Sequence, residues 1–86
     1  MRYPNPPRPL SAMYFVYVLQ NGKSHKFYIG YTKDLERRFS EHKRKFSSDK
    51  IIYYEAYTEE AVARERERKL KQFGSAWRGV KQRLKA

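Results

Sequence analysis

Two short stretches rich in aromatic and β-branched residues, separated by an Asn-Gly pair, dominate the first half of this 86-residue chain. They are FVYVL at 15–19 and KFYIGY at 26–31, and both have the composition of β-strands. Asn21-Gly22 is a dipeptide typical of the turn that joins hairpin strands. We therefore expect the two strands to pair antiparallel.

Three positions on this hairpin are candidates for a functional site. Tyr17 and Tyr28 can lie near each other across the strand pair, and each phenol can both donate and accept a hydrogen bond. A glycine inside a strand, here Gly30, marks a bulge or the close approach of a ligand or another backbone, and we favour the close approach. For the two tyrosines the alternative is a structural aromatic role, because the chain contains eight tyrosines.

A helix is predicted directly after the hairpin. Thr32 is placed to cap it, and Asp34 favours the positive end of its dipole. At about 100° per residue, Leu35, Phe39 and Phe46 share one narrow face. This face is expected to pack on the sheet.

The same periodicity separates two neighbouring arginines. Arg38 lies at the margin of the apolar face, together with His42, whereas Arg37 points to the far side. Arg38 is therefore expected to reach a cleft beside the sheet while Arg37 stays in solvent. From periodicity alone, a surface arginine that packs its stem and a core-edge histidine are the favoured descriptions of Arg38 and His42.

The second half of the chain predicts a third strand at 51–57 and two more helices, at 61–71 and 76–84. Thr58 is the expected cap of the first of these helices, with acidic residues in its first turn. On this helix Glu67 lies at one flank of the apolar arc, whereas Glu65 lies nearly opposite the arc. Glu67 is therefore the acid that we expect to face the sheet. The alternative role of Glu67 is an ion pair with Lys71. The predicted arc is formed by Val62, Ala63, Leu70 and Phe73. In the last helix, Trp77, Val80 and Leu84 are expected to pack on the domain.

The fold predicted from these elements is α/β (α+β): a small, three-stranded, mainly antiparallel sheet flanked by helices, in the order β-β-α-β-α-α. Residues 1–12 hold all four prolines and are expected to form a flexible arm before a domain at 13–86. Because two strands alone are marginal in water, the third strand is needed to complete the sheet.

Charge and composition narrow the possible partners. Twenty Lys and Arg against nine Asp and Glu give a formal net charge of +11, which predicts a polyanionic partner. Cysteine is absent, which excludes disulfides and cysteine-type zinc sites. No apolar run approaches the roughly 20 residues of a membrane span, so we expect a cytoplasmic, intracellular protein without membrane contact. We also expect it to act as a monomer.

The order of these residues resembles a known family. FVY at 15–17, YIG at 28–30 and T-x-D-L-x-x-R-x-x-x-H at 32–42 are similar to the GIY-YIG nuclease family, especially its small single-domain members related to the N-terminal nuclease domain of the DNA-repair excinuclease. Residues 66–71 are similar to the R-E-x-x-L-K segment in which that family keeps its metal-binding glutamate, here Glu67. The sequence departs from the family at Phe15 and Val16, in a short loop after Phe46, and in lacking an asparagine near its end.

The resemblance implies hydrolysis of phosphodiester bonds with one divalent metal, Mg²⁺ or Mn²⁺. Arg38 would stabilise charge on the phosphate, and Glu67 would hold the metal. Tyr17 would act as the general base that activates the attacking water, if nearby cations favour its phenolate. Tyr28 and His42 would orient the water or the phosphate. Alternatively, His42 would itself be the general base. Gly30, Lys33, Lys71 and Arg78 are the expected substrate contacts.

Three functions are compatible with the sequence. The favoured one is a DNA endonuclease of structural or weak sequence selectivity. The second is a nucleic-acid-binding module of the same fold that has little or no catalysis, since a basic face binds phosphates without cutting. The third is a small basic assembly protein whose partner is RNA.

Overall fold

Three antiparallel strands and three helices follow one another in the order β-β-α-β-α-α within residues 13–72 and 74–85, which the computed structural model describes. The predicted fold class is thereby confirmed. The elements are β1 (Tyr14–Asn21), β2 (Phe27–Thr32), α1 (Leu35–Lys45), β3 (Asp49–Tyr57), α2 (Glu60–Gln72) and α3 (Gly74–Lys85). The predicted arm at 1–12 and the apolar residue Phe73 lie outside the described residues.

β1 is the central strand of the sheet, whose order is β2-β1-β3. It is antiparallel to both neighbours, and its residues 15–19 are all buried. Successive side chains of a strand point to opposite faces, so β1 supplies both sides of the sheet. Val16 and Val18 point to one side, and Phe15, Tyr17 and Leu19 point to the other.

The two faces of the sheet are covered by different helices. On the core face, Val16 packs with Ala63 and Leu70 of α2 and with Val80 of α3 in one apolar cluster. On the opposite side, which we call the tyrosine face, the cross-strand register places Gly30 and Tyr54 beside Tyr17. α1 lies on this side and contacts β3.

The helix α1 covers the tyrosine face only in part, and this corrects the predicted packing. None of its residues is buried, and Phe46, just after it, is 52% exposed. Val62 and Leu84, expected to be buried, are also exposed, at 45% and 37%. The periodicity located the apolar side of each helix correctly, but the small sheet does not extend under the whole of that side.

The cap of α1 is Asp34, so the prediction of Thr32 is wrong. Thr32 is still paired with Phe15 as the last residue of β2, and the helix cannot begin there. The Asp34 carboxylate accepts a hydrogen bond from the backbone N–H of Arg37 at 3.1 Å, which satisfies one of the free donors of the first turn. Thr32 Oγ1 accepts from the N–H of Asp34 at 3.1 Å and so fixes the cap on the strand.

The hairpin turn is longer than the Asn-Gly dipeptide suggests, because β1 continues through Asn21 and β2 begins at Phe27. The side-chain oxygen of Asn21 accepts hydrogen bonds from the backbone N–H groups of Lys23 and Ser24, at 2.9 and 2.8 Å. His25 has a φ of 61°, in the left-handed region, and the turn needs no glycine with positive φ. Asn21, rather than Gly22, organises this turn.

The strand β3 begins at Asp49, two residues before the predicted start. Its pairing with β1 shifts between Val18 and Leu19: Val18 faces Tyr53, but Leu19 faces Ile51. One extra residue in β3 is the signature of a β-bulge, which redirects the side chains beyond it. In the part of the chain that the structure describes, no helix has the length and apolar character to cross a membrane.

Candidate active site

Tyr17 and Tyr28 lie together on the tyrosine face, with ring centroids 6.3 Å apart. Gly30 is directly opposite Tyr17 in the register. A Cβ atom at Gly30 would stand 2.5 Å from Cζ of Tyr17, closer than non-bonded carbons approach. The Tyr17 side chain makes a close approach at Gly30, and Gly30 itself is buried. The contact of Gly30 with substrate stays a prediction.

Arg38 is the arginine of α1 that acts on Tyr17. Burial raises the pKa of Tyr17 above its ordinary value, Tyr28 raises it further, and the guanidinium of Arg38 partly offsets both. Arg37 instead pairs with Glu41 on the surface, with Nε 3.1 Å from Oε1. Of the two arginines it is Arg38 that interacts with Tyr17, but both side chains are exposed and both line the cleft described below.

His42 of α1 reaches the same face of the sheet. Its ring centroid is 5.6 Å from that of Tyr28 and 4.9 Å from that of Phe46. Its Nε2 lies 2.5 Å from Oδ2 of Asp49, and the two side chains are only 17% and 11% exposed. The hydrogen bond with His42, and a second one from Asn21, hold the pKa of Asp49 below its usual value.

Asp49 and Asn21 are site residues that the sequence analysis missed. They are paired across β1 and β3, and Nδ2 of Asn21 donates to Oδ1 of Asp49 at 2.6 Å. In the sequence Asp49 lies in a basic connector, where it looks like one acid among lysines. The bulge that brings it opposite Asn21 has no signal in the residue pattern, so the pairing was not predictable.

Glu67 is half-buried on α2, where its Oε2 lies 3.1 Å from Nζ of Lys71. This is the ion pair that the sequence offered as the alternative role of Glu67. Among the described residues no group of three or more His, Asp or Glu side chains could hold a metal ion. One carboxylate remains compatible with Mg²⁺, which keeps several waters and often takes one or two carboxylates.

The orientation of α2 is fixed by a second carboxylate, Glu55 of β3. Arg66 donates to both of its oxygens, at 2.9 and 3.0 Å, and the hydroxyls of Tyr53 and Tyr57 each donate at 2.5 Å. Burial acts to raise the pKa of Glu55, but these hydrogen bonds outweigh it and lower the pKa to about 2. Arg66, which lies within the apolar arc of the helix, therefore binds α2 to the sheet beside Glu67.

A polar cleft of about 490 Å³ lies between the start of α1 and α2. Its lining carries more cations than acids: Tyr31, Thr32, Lys33, Asp34, Arg37, Arg38, Glu41 and Arg64. Of the predicted substrate contacts, Lys33 lies here, exposed, with Nζ 3.8 Å from Oε2 of Glu60. Lys71 pairs with Glu67 as described, and Arg78 is exposed on α3. Their contact with substrate stays a prediction.

Comparison with protein-family models matches residues 13–82, most of the chain, to the GIY-YIG catalytic domain. No curated protein and no solved structure gives a match. The matched segment contains the first five elements, the part of α3 up to Gln82, and every predicted site residue.

Proposed function

This chain belongs to the GIY-YIG nuclease family, and we propose that it is a divalent-metal-dependent endonuclease that cuts DNA with little sequence specificity. Family membership indicates nuclease activity in general. The observation that supports cleavage is the grouping of Tyr17, Tyr28, Arg38 and His42 on one face of the sheet. Glu67 lies on α2, which packs on the other face, and the contact described for it is with Lys71 and not with this group.

Arg38 supplies a fixed positive charge for the phosphate. Hydrolysis adds negative charge to the phosphate oxygens in the transition state, so a cation already in place lowers the barrier. A guanidinium stays protonated and can bind two phosphate oxygens at once. Because Asp34 fixes the first turn of α1, Arg38 reaches this position from a well-anchored part of the helix.

Tyr17 serves best as a hydrogen-bond donor. Its pKa is raised above the ordinary value, mainly by burial, so its phenol keeps its proton at neutral pH. A protonated phenol can donate to a phosphate oxygen or to the attacking water. His42 is then the better candidate to accept a proton from that water, because imidazole titrates much nearer to neutral pH than phenol does.

Glu67 would hold the metal ion, and a metal bound there would neutralise charge on the phosphate and on the leaving oxygen. The carboxylate is half-buried and has Lys71 as its only partner among the contacts described for it. Lys71 can move aside because its side chain is 50% exposed. In this proposal Lys71 turns to a DNA phosphate when Glu67 takes up a metal.

Low sequence specificity follows from the kind of surface that is available. The cations around the cleft are suited to phosphates, which position a protein on DNA without reading its bases. A net charge of +11 predicts binding that falls steeply as salt rises.

The test is cleavage of labelled duplex, single-stranded and branched DNA, and of a matched RNA, with Mg²⁺ or Mn²⁺. We expect wild type to cut DNA with metal and not with EDTA, and Glu67→Ala to lose cleavage while still binding DNA. Glu65→Ala is the matched control, because Glu65 lies on the same helix, paired with Arg68, and it should cut normally.

Two outcomes would contradict this proposal. Cleavage by Glu67→Ala at the wild-type rate would show that the metal is held elsewhere. Binding without cutting by wild type on every substrate would favour the second function, a nucleic-acid-binding module in which Lys71 keeps Glu67 neutralised.

A further inference from the structure

The hydrogen bonds around Asp49 carry an inference that rests on the proposed nuclease activity and adds a residue to it. We infer that Asp49, itself held by Asn21, is a positioning residue that fixes the ring of His42 with Nε2 protonated and Nδ1 free to accept a proton. The inference follows from the direction of each hydrogen bond between the hairpin turn and the ring.

The first step is the orientation of the Asn21 amide. Its side chain lies 2.9 and 2.8 Å from the backbone N–H groups of Lys23 and Ser24. A backbone N–H can only donate, so the atom facing the turn must be the amide oxygen. The NH₂ group of Asn21 must then point to Asp49, whose Oδ1 is 2.6 Å away.

The second step assigns the proton on His42. Oδ1 of Asp49 accepts from Asn21, and Oδ2 lies 2.5 Å from Nε2 of His42. Hydrogen bonds hold the pKa of Asp49 below its usual value, so at neutral pH it is a carboxylate and can only accept. Nε2 must therefore carry a proton, and in the neutral ring Nδ1 is the remaining acceptor.

The backbone explains how Asp49 comes to face this ring. Without the register shift after Val18, the residue opposite Asn21 would be Lys50; the shift brings Asp49 there instead. β-Bulges often redirect a side chain in this way beside functional sites. A lysine at that position could not accept from Nε2 of His42.

In the proposed step, water hydrolyses the phosphodiester bond and His42 accepts the proton. The water oxygen forms a bond to phosphorus, and the bond from phosphorus to the leaving sugar oxygen breaks. One proton of the water passes to Nδ1 of His42, and the leaving oxygen takes a proton from solvent. Asp49 stabilises the imidazolium that forms, which is the role of an orienting carboxylate in acid–base catalysis.

The decisive experiment is ¹⁵N NMR of the imidazole rings in wild type and in Asp49→Asn, above the pH at which the rings become neutral. In wild type we expect His42 to be protonated on Nε2, with His25 of the exposed turn as the internal reference. In D49N the amide oxygen stays with Asn21, so the new NH₂ group faces Nε2. We expect the proton of His42 to move to Nδ1.

Cleavage tests the consequence. D49N is expected to cut ~100-fold more slowly, at the lower end of what a positioned general base contributes, and to bind DNA normally. In a His42→Ala background the same substitution should cost nothing further, because the two residues act as a unit. Glu36→Gln, an exposed acid of α1, is the matched control for the loss of one charge.

Three results would overturn the inference. The first is a wild-type His42 protonated on Nδ1, or mixed between the two forms as a free imidazole is; this measurement needs no variant to fold. The second is an unchanged ring in a folded D49N, and the third is a further loss of cleavage when D49N is added to His42→Ala. If wild type does not cut at all, the nuclease proposal fails, while the ring protonation still decides the role of Asp49.

Discussion

Two carboxylates on β3, Asp49 and Glu55, are six residues apart in the sequence and yet face opposite sides of the sheet. Strict alternation would place them on the same side. The bulge between them reverses the alternation, so that Glu55 faces Val16 on the core face and Asp49 faces Asn21 on the tyrosine face. One extra residue in a strand thus separates a structural carboxylate from one beside the candidate site.

Their partners explain why the two carboxylates serve different purposes. Glu55 is saturated by Arg66 and by two tyrosine hydroxyls, and a guanidinium does not titrate. Asp49 is bound by an amide and by the imidazole of His42, and an imidazole is a side chain suited to accepting and donating protons. A carboxylate paired with a permanent cation fixes structure, whereas one paired with an imidazole can also take part in proton transfer.

The largest expected effect is on the tyrosine face. Arg38→Ala should reduce the single-turnover cleavage rate about 100- to 1,000-fold, as the loss of a preorganised transition-state contact does. Arg44→Ala on the same helix removes the same charge about 120° around the helix from Arg38 and should cut within about twofold of wild type. An equal loss of cleavage rate in both variants would show that Arg38 contributes only as one of many positive charges.

On the core face the expected effect is on stability. Glu55→Gln leaves Arg66 without its charged partner, and losing these charged hydrogen bonds in a half-buried site should cost about 2–3 kcal/mol of unfolding free energy. Glu65→Gln, whose partner Arg68 is on the surface, should leave the free energy of unfolding nearly unchanged, because solvent screens an exposed pair. Urea titration measures both, and similar values for the two variants would mean that the Glu55 cluster does not hold α2.

The pH dependence of stability sharpens the same point. Because the folded pKa of Glu55 is lowered from 4.5 to about 2, its contribution is fully present above pH 4.5 and is lost as pH falls towards 2. Glu55→Gln should remove this acid-dependent loss. If the variant and wild type lose the same amount of stability between pH 4.5 and pH 2, groups other than Glu55 control acid unfolding.

A smaller effect is expected where the two strands of the hairpin meet. Gly30→Ala forces a methyl group against the Tyr17 ring and should cost about 1–3 kcal/mol by overpacking. It should also slow cleavage, because Tyr17 must shift. Gly79→Ala is the control, since open space surrounds that position of α3 and alanine there should stabilise by about 0.5–1 kcal/mol. Unchanged stability of Gly30→Ala would show that Tyr17 moves freely.

The smallest effect is expected on the exposed side of α3. If Arg78 contacts a phosphate, Arg78→Ala should weaken DNA binding equally on all sequences and reduce the slope of log affinity against log salt by about 1. Fluorescence anisotropy over a range of salt concentrations measures this slope. An unchanged slope would remove Arg78 from the interface.

Local patterns in the sequence predicted much of this molecule. Strand composition located the three strands, and helical periodicity selected Arg38, the arginine of α1 that interacts with Tyr17. Strand composition and helical periodicity depend only on residues that are close together in the chain, as do the signals for turns and helix caps. Even so, the cap of α1 was misplaced, because Thr32 is paired with β1 as the last residue of β2.

What the sequence could not predict depends on contacts between distant segments. The bulge in β3 is defined only by its pairing with β1, so the meeting of Asn21, Asp49 and His42 had no local signature. Glu55 and Arg66 show a weaker version of the same problem. Glu55 lies in the third strand and Arg66 within the apolar arc of α2, and neither position alone indicates that the two side chains pair.

The division of labour between the two faces can be tested by measuring cleavage and stability together for Arg38→Ala and Glu55→Gln. We predict that Arg38→Ala loses cleavage and keeps the wild-type free energy of unfolding, whereas Glu55→Gln loses stability and cuts at the wild-type rate when it is folded. Loss of cleavage by folded Glu55→Gln together with full activity of Arg38→Ala would contradict this account.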